Sequence, residues 1–172
     1  MSAEEEFVRF SVSKLRQLNE RILVCIEKLS EDQIWIRFSE NENAVGNLCL
    51  HLAGNVRQWI GTGVAGRADI RVRDSEFSAR GGKSGRDLRD LLAASVEEAV
   101  AVIERLKPED LMRNTRVQGY DLTVLAAIYH VVEHFAQHTG QIIFAAKVLT
   151  GQDMGFYAHL RGGSVVPPPH QP

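Results

Sequence analysis

Three histidines fall within one short stretch, His130-Val-Val-Glu-His134-Phe-Ala-Gln-His138. On an α-helix, with His134 as reference, His130 and His138 lie about 40° to either side of it. The same arc takes in Ala127, Val131, Gln141, Ile142, Ala145 and Leu149. The rings are therefore expected in the middle of the face that a helical protein buries. Two hydrogen bonds satisfy one buried imidazole, and a lone core histidine is ordinarily such a structural residue. Three along one stripe are costly unless something fixes their tautomers and uses their lone pairs. A divalent metal does both, because histidines at i and i+4 can reach one ion at about 2.0–2.1 Å.

Two ligands bind weakly, so a third is expected from another helix. The best candidate is His51, in Leu48-Cys49-Leu50-His51-Leu52-Ala53-Gly54-Asn55. It borders the apolar face of its own helix, and Gly54 lets another element approach closely. Other metal chemistries lack their signatures. No glutamate follows the first histidine as in metalloprotease helices. Paired Glu-x-x-His helices for a di-iron centre are missing, and an i, i+4 pair cannot ligate both faces of a haem.

Three neutral ligands leave an ion its charge and an open position, the arrangement of catalytic zinc sites. Such an ion activates water, giving a hydrolase, or holds a small thiol as thiolate, giving a thiol-dependent S-transferase or isomerase. A metal- or ligand-binding bundle without catalysis is the third reading. Polar groups near the motif are few. Asn55 follows His51 by one turn, Gln141 follows His138, and Tyr120 with Asp121 sits at the mouth of the last helix, so Asn55, Gln141 and Tyr120 are the catalytic candidates. Glu133 points about 100° away from His134 and is not read as a general base.

The elements that must position these residues are helical. Apolar residues recur every three or four positions from Glu4 to Leu29, and a short turn is expected around Trp35. A second helix is expected from an Asn43 N-cap to Trp59 or Ile60, closed by Gly61, Gly63 and Gly66. The third runs from Ser84, with Asp87 as capping partner, to Leu106, where Pro108 stops it. Met112–Asp121, with Gly119, is a connector that suits a small hairpin. The fourth runs from Leu122 or Thr123 to Leu149, with Gly151 as C-cap. These lengths suit an all-α four-helix bundle occupying residues 1–161 as one domain. Gly162–Pro172 reads as a flexible tail rich in glycine and proline.

The connector Arg67–Lys83 between helices two and three is longer than bundle connections usually are. It is rich in arginine, and Arg71 and Arg73 are candidate anchors for an anionic co-substrate such as a carboxylated thiol. Helix four also has a second apolar face with Leu125, Tyr129, Val132, Ala136 and Ile143, which favours a homodimer.

Composition limits the alternatives. The chain has 172 residues, 44% hydrophobic and 24% charged, as an ordinary globular protein does. Twenty basic against 22 acidic residues give a net charge of −2, a poor footprint for nucleic-acid binding. No run of about 20 apolar residues suggests a membrane span. Cys25 and Cys49 form neither a metal motif nor a disulfide framework; they read as small buried hydrophobes in a cytoplasmic protein.

At the residues Asn43-Ala-Val-Gly-Asn-Leu-Cys-Leu-His51-Leu-Ala-Gly-Asn55-Val-Arg57-Gln-Trp59 and His130–Ile142 the sequence resembles the DinB/YfiT-like superfamily. Arg73-Asp74-Ser75-Glu76-Phe77 matches a subgroup, and the resemblance runs from about Phe7 to Phe156 in the same helix order. It implies a metal-binding four-helix bundle with His51, His134 and His138 as ligands to nickel, zinc or iron, and frequent homodimerisation. It gives His130 a second-shell or substrate-side role. Characterised members include thiol-dependent transferases and isomerases, so the resemblance carries a small-molecule substrate and a low-molecular-weight thiol as expectations.

Overall fold

Hydroxyl side chains start three of the four long helices. In the computed structural model, which describes residues 1–161, Ser2 caps α1 (Ala3–Lys28) together with Glu5. Ser84 and Asp87 cap α5 (Gly85–Ile103) reciprocally, as the sequence predicts. Thr123 accepts the Ala126 N–H at the start of α6 (Val124–Thr150). That helix ends at Gly151, whose φ of 66° is the left-handed conformation a glycine C-cap provides. The expected tail, 162–172, lies outside the described residues.

Between these come the one-turn α2 (Glu31–Ile34), α3 (Val45–Val56) and α4 (Arg73–Ser78). A hairpin of β1 (Asn114–Val117) and β2 (Tyr120–Thr123) precedes α6. Its two-residue turn, Gln118-Gly119, takes positive φ at both positions (52° and 84°), which matches the twist of the flanking strands.

The four long helices form a closed cycle: α1 packs on α5 and α6, and α3 packs on the same two. Each turns its apolar stripe inward. Leu15, Ile22, Leu52, Leu88, Leu92 and Phe135 are among the fully buried side chains, so the core is a continuous apolar column. Cys25 and Cys49 lie in it as free thiols; burial pushes Cys25 up to about 11 and raises Cys49 further. No described helix is long and apolar enough to cross a membrane.

Three boundaries differ from the expectation. Asn43 is exposed and caps nothing; Ala44 is the N-cap residue of α3. The Asn47 side-chain oxygen instead accepts the Ala44 N–H from inside the first turn, at 3.2 Å. Gly61 and Gly63 do not close the second helix, which continues through Arg57–Val64 as a π-helix. The wider turns are held by the hairpin: Thr115 Oγ1 donates to the Gly63 carbonyl and Arg113 to that of Val64. Gly63 has no Cβ to keep Val117 away, and the chain reverses only at Gly66, with φ 69°. The third helix ends at Ile103 rather than Leu106, and Pro108 opens a 3-10 turn.

Asn47 also fixes the connector. Fully buried, it donates to the carbonyls of Glu76 (2.8 Å) and Ala79 (2.9 Å) and accepts from Arg37 (2.7 Å). Removing that amide strands several buried partners. Asn47→Ala is therefore expected to lower unfolding free energy by about 2–3 kcal/mol in urea denaturation, with the helical content at low denaturant unchanged.

Candidate metal centre

The buried stripe of α6 is Val124, Ala127, Ile128, Val131, Phe135, Thr139, Ile142 and Ala146. Its centre lies roughly a quarter turn from His134. The histidines therefore border the core rather than occupying its middle: His130, His134 and His138 are half-buried, along the edge where α6 meets α3. A border position reduces the desolvation cost of three imidazoles and leaves the cluster within reach of small molecules. Phe135, at a position the three-residue histidine pattern obscures, takes the central place.

From α3, His51 points into the same place and is 5% exposed. His51, His134 and His138 each present a ring nitrogen, and the three nitrogens lie within 4.8 Å of one another. His51 Nε2 and His134 Nε2 are 3.1 Å apart. Two nitrogens sharing one ion at about 2.0–2.1 Å are about 2.9 Å apart at a right angle and about 3.4 Å apart in a tetrahedron. The His51–His134 spacing falls between, and with His138 inside the same 4.8 Å cluster the three rings could hold a transition-metal ion.

The outward nitrogens support that use. His51 Nδ1 lies 3.0 Å from Glu76 Oε2, and His138 Nδ1 lies 2.6 Å from Gln141 Oε1. With the proton on each Nδ1 these acceptors are satisfied and each Nε2 keeps its lone pair for the cluster; Arg71 Nη2, a donor, also lies 3.0 Å from His51 Nδ1. His134 Nδ1 is buried without a hydrogen-bond partner. Burial, followed by the neighbouring rings and Arg71, pushes His134 down to about 3. Burial also lowers His138, against the hydrogen bond to Gln141, and lowers His130. The rings thus favour the neutral, ligand-competent form.

Glu76, on α4, was not singled out from the sequence. Burial raises its pKa, but hydrogen bonds from Arg71 and His51 more than offset this and leave it below the usual range. Arg71 grips it with two donors at 2.7 Å each and gives a third to Gln58 at 2.9 Å. Its side chain is 5% exposed, so Arg71 is a strut beneath His51 instead of an open anion anchor. The available signals were Gly54 and the Arg73–Phe77 piece. A Cβ at Gly54 would sit 2.1 Å from Glu76 Oε1, so the glycine makes the notch in which the carboxylate lies.

Other sequence candidates surround the cluster. His130 stacks on Trp59 with centroids 3.8 Å apart, and Trp59 stacks in turn on the exposed Tyr120 at 6.5 Å. Tyr120 is thus separated from the three nitrogens by two rings. Asn55 is buried one turn beyond His51. Arg73 is exposed, its guanidinium 4.7 Å over the Phe77 ring, which packs 4.7 Å from the His51 ring.

Several solved structures share this arrangement of helices. A conserved protein from Enterococcus faecalis superposes with a TM-score of 0.72 at 16% identity, over 88% of this chain and 99% of that one. A DinB-like protein, YjoA, from Bacillus subtilis gives 0.65 at 23% identity, over 88% and 96%. A DinB-like protein from Bacillus cereus gives 0.63 at 12% identity, over 80% and 88%. At such identities the likeness shows the fold. No curated protein matches the chain significantly. A family model matches residues 2–162, and the chain belongs to that family, described as "Protein of unknown function (DUF1572)".

Proposed function

We propose that this protein is a metal-dependent enzyme acting on small molecules, with His51, His134 and His138 as ligands. The reaction proposed is a thiol-dependent S-transfer or isomerisation. The observation that carries this reading is the convergence of three imidazole nitrogens, two of the rings having an acceptor side chain at the outward nitrogen. A divalent cation such as nickel, zinc or iron supplies Lewis acidity there, since three neutral ligands leave its charge uncompensated and a position open.

The residue of this chain that bears on the choice between thiol and water is Arg73, an exposed cation that a carboxylated thiol can use. Glu76, the carboxylate in contact with the rings, is engaged by Arg71 and His51. Arg73, held over Phe77 beside His51, is the exposed cation placed to bind a carboxylate on that thiol. His130, stacked on Trp59, borders the substrate side. The balanced net charge and the two free buried cysteines accord with a cytoplasmic enzyme that binds no nucleic acid.

Purified protein is expected to take up about one divalent transition ion per chain. His134→Ala should lose it while remaining folded, by elemental analysis and circular dichroism. A panel of small thiols with electrophiles, run beside an ester and amide panel, is expected to show metal-dependent thiol consumption. Turnover of esters alone points to a hydrolase, and no turnover with metal retained points to a binding protein.

Acid should act through the same rings. The folded His134 takes up a proton only near pH 3, whereas an unfolded histidine does so near 6.5. Below about pH 6.5 the unfolded chain binds more protons, so the stability this group contributes is present above 6.5 and lost as pH falls towards 3. Metal-free protein should therefore show a falling Tm across that window, and His134→Ala a shallower fall.

Of the second apolar face of α6, Leu125, Val132 and Ile143 pack partly against the core, whereas Tyr129 and Ala136 are exposed, as are Phe144 and Val148 on the same helix. We assign that face to a homodimer, which needs about 1,200–2,000 Å² of buried surface. Sedimentation is expected to give a dimer, and Phe144→Glu to shift it towards monomer without loss of helicity.

A further inference from the structure

Glu76 is the one buried side chain of α4. A carboxylate and a guanidinium, 9% and 5% exposed at their side chains, replace the apolar contact by which a short helix usually docks. Of the neighbouring apolar residues, Ile70 and Val72 are 88% and 67% exposed, and only the half-buried Phe77 packs inward, 4.7 Å from the His51 ring. Behind the Arg71–Glu76 pair is a cavity of about 270 Å³, between residues 68–76 and the helices α3 and α5. Apart from the Phe77 ring, the segment is held to α3 by polar ties, and the innermost of them ends on His51.

That tie decides which nitrogen of His51 is free. Arg71 Nη2 lies 3.0 Å from His51 Nδ1, the same distance as Glu76 Oε2. Arginine can only donate, so facing Arg71 alone Nδ1 would accept and the proton would sit on Nε2, blocking the lone pair. The carboxylate reverses this: it takes the Nδ1 proton and turns the Nε2 lone pair towards His134 and His138. Arg71 meanwhile holds the carboxylate through Nε and the same Nη2. Gly54 lets both approach α3, since a Cβ there would lie 2.1 Å from Glu76 Oε1 and 2.9 Å from Arg71 Nε.

We propose that Glu76, held by Arg71, is the positioning residue that makes His51 a ligand, and that docking of segment 67–83 is thermodynamically linked to cation binding at the three histidines. The proposal rests on the metal reading above. Linkage is reciprocal: whatever fraction of chains has the segment undocked lacks a competent His51, and a cation that selects the competent form draws the segment down. The arginine-rich connector is then a clasp on the metal centre.

The test uses the full chain and cobalt(II), whose visible absorption reports both affinity and ligand geometry. Glu76→Gln is expected to bind cobalt(II) about 10- to 100-fold more weakly than the unaltered protein, with shifted absorption bands. In the unaltered protein, cobalt(II) is expected to slow amide hydrogen exchange across 67–83, and in His134→Ala to leave it unchanged. Equal affinity and identical bands in Glu76→Gln overturn the positioning role, and exchange indifferent to cobalt(II) overturns the linkage, while the metal centre itself stands. Failure of the unaltered protein to bind cobalt(II) removes the metal centre and this proposal together. The exchange measurement needs no variant at Glu76, so it decides the linkage even if Glu76→Gln does not fold.

Discussion

Two imidazole nitrogens stand 3.1 Å apart with a third ring beside them, close enough to share one proton or one cation. Neutral rings have each one donor and one acceptor, so a cluster that turns its lone pairs inward must have its N–H groups satisfied outside. Much of the architecture around the cluster serves that requirement. The cycle of helices sets α3 beside α6, Gln141 accepts from His138 one turn along, and a connector returns to put Glu76 against His51. Gly54 and Asn47 owe their positions to the same need: one makes room for the carboxylate, and the other holds the backbone that carries it. The exception is His134, whose Nδ1 has no partner and whose ring resists protonation most.

What could be read from the sequence follows from the range of the interactions. Capping by Ser84 with Asp87 and the Gly151 C-cap are contacts within four residues, and they stand as expected. So does the meeting of His134 and His138, which the helical repeat alone brings to one side. The pairing with His51 needed only that two helices be neighbours. Glu76 was not legible, because it lies 25 residues from His51 in a segment without apolar periodicity, and charge in such a segment looks like solvated surface. The π-helical turns of 57–64 were hidden for a similar reason: they depend on Thr115 and Arg113, some fifty residues away. Reading the histidines as the centre of the core face also failed physically. Their spacing repeats every four residues, and it hid Phe135 and Thr139, whose burial beside Val131 and Ile142 sets the rotation of α6.

The solved relatives keep this helical frame at 12–23% identity. Such a frame needs only apolar residues at the right period, a demand that many sequences meet. A cluster on the border of the core is then a separable feature. Its rings lie where α6 leaves the apolar column, so changes around them alter access and charge with little effect on Phe135 and its neighbours. The π-helical segment adds to this by carrying Trp59 against His130, which gives the row of rings a flat apolar floor on one side.

Charge balance separates this arrangement from a carboxylate-ligated one. If Glu76 reached the cluster directly, its negative charge would offset part of any cation's charge. Here the carboxylate stands one ring away and Arg71 neutralises it with two hydrogen bonds, so His51 is oriented by a partner whose net charge is near zero. In the proposed arrangement the polarity of Glu76 places a proton on His51 while its charge is kept from the three rings. A cation bound by three such rings keeps nearly its full power to polarise a ligand, and the cost of that arrangement falls on the connector, which must carry a buried ion pair instead of an apolar contact.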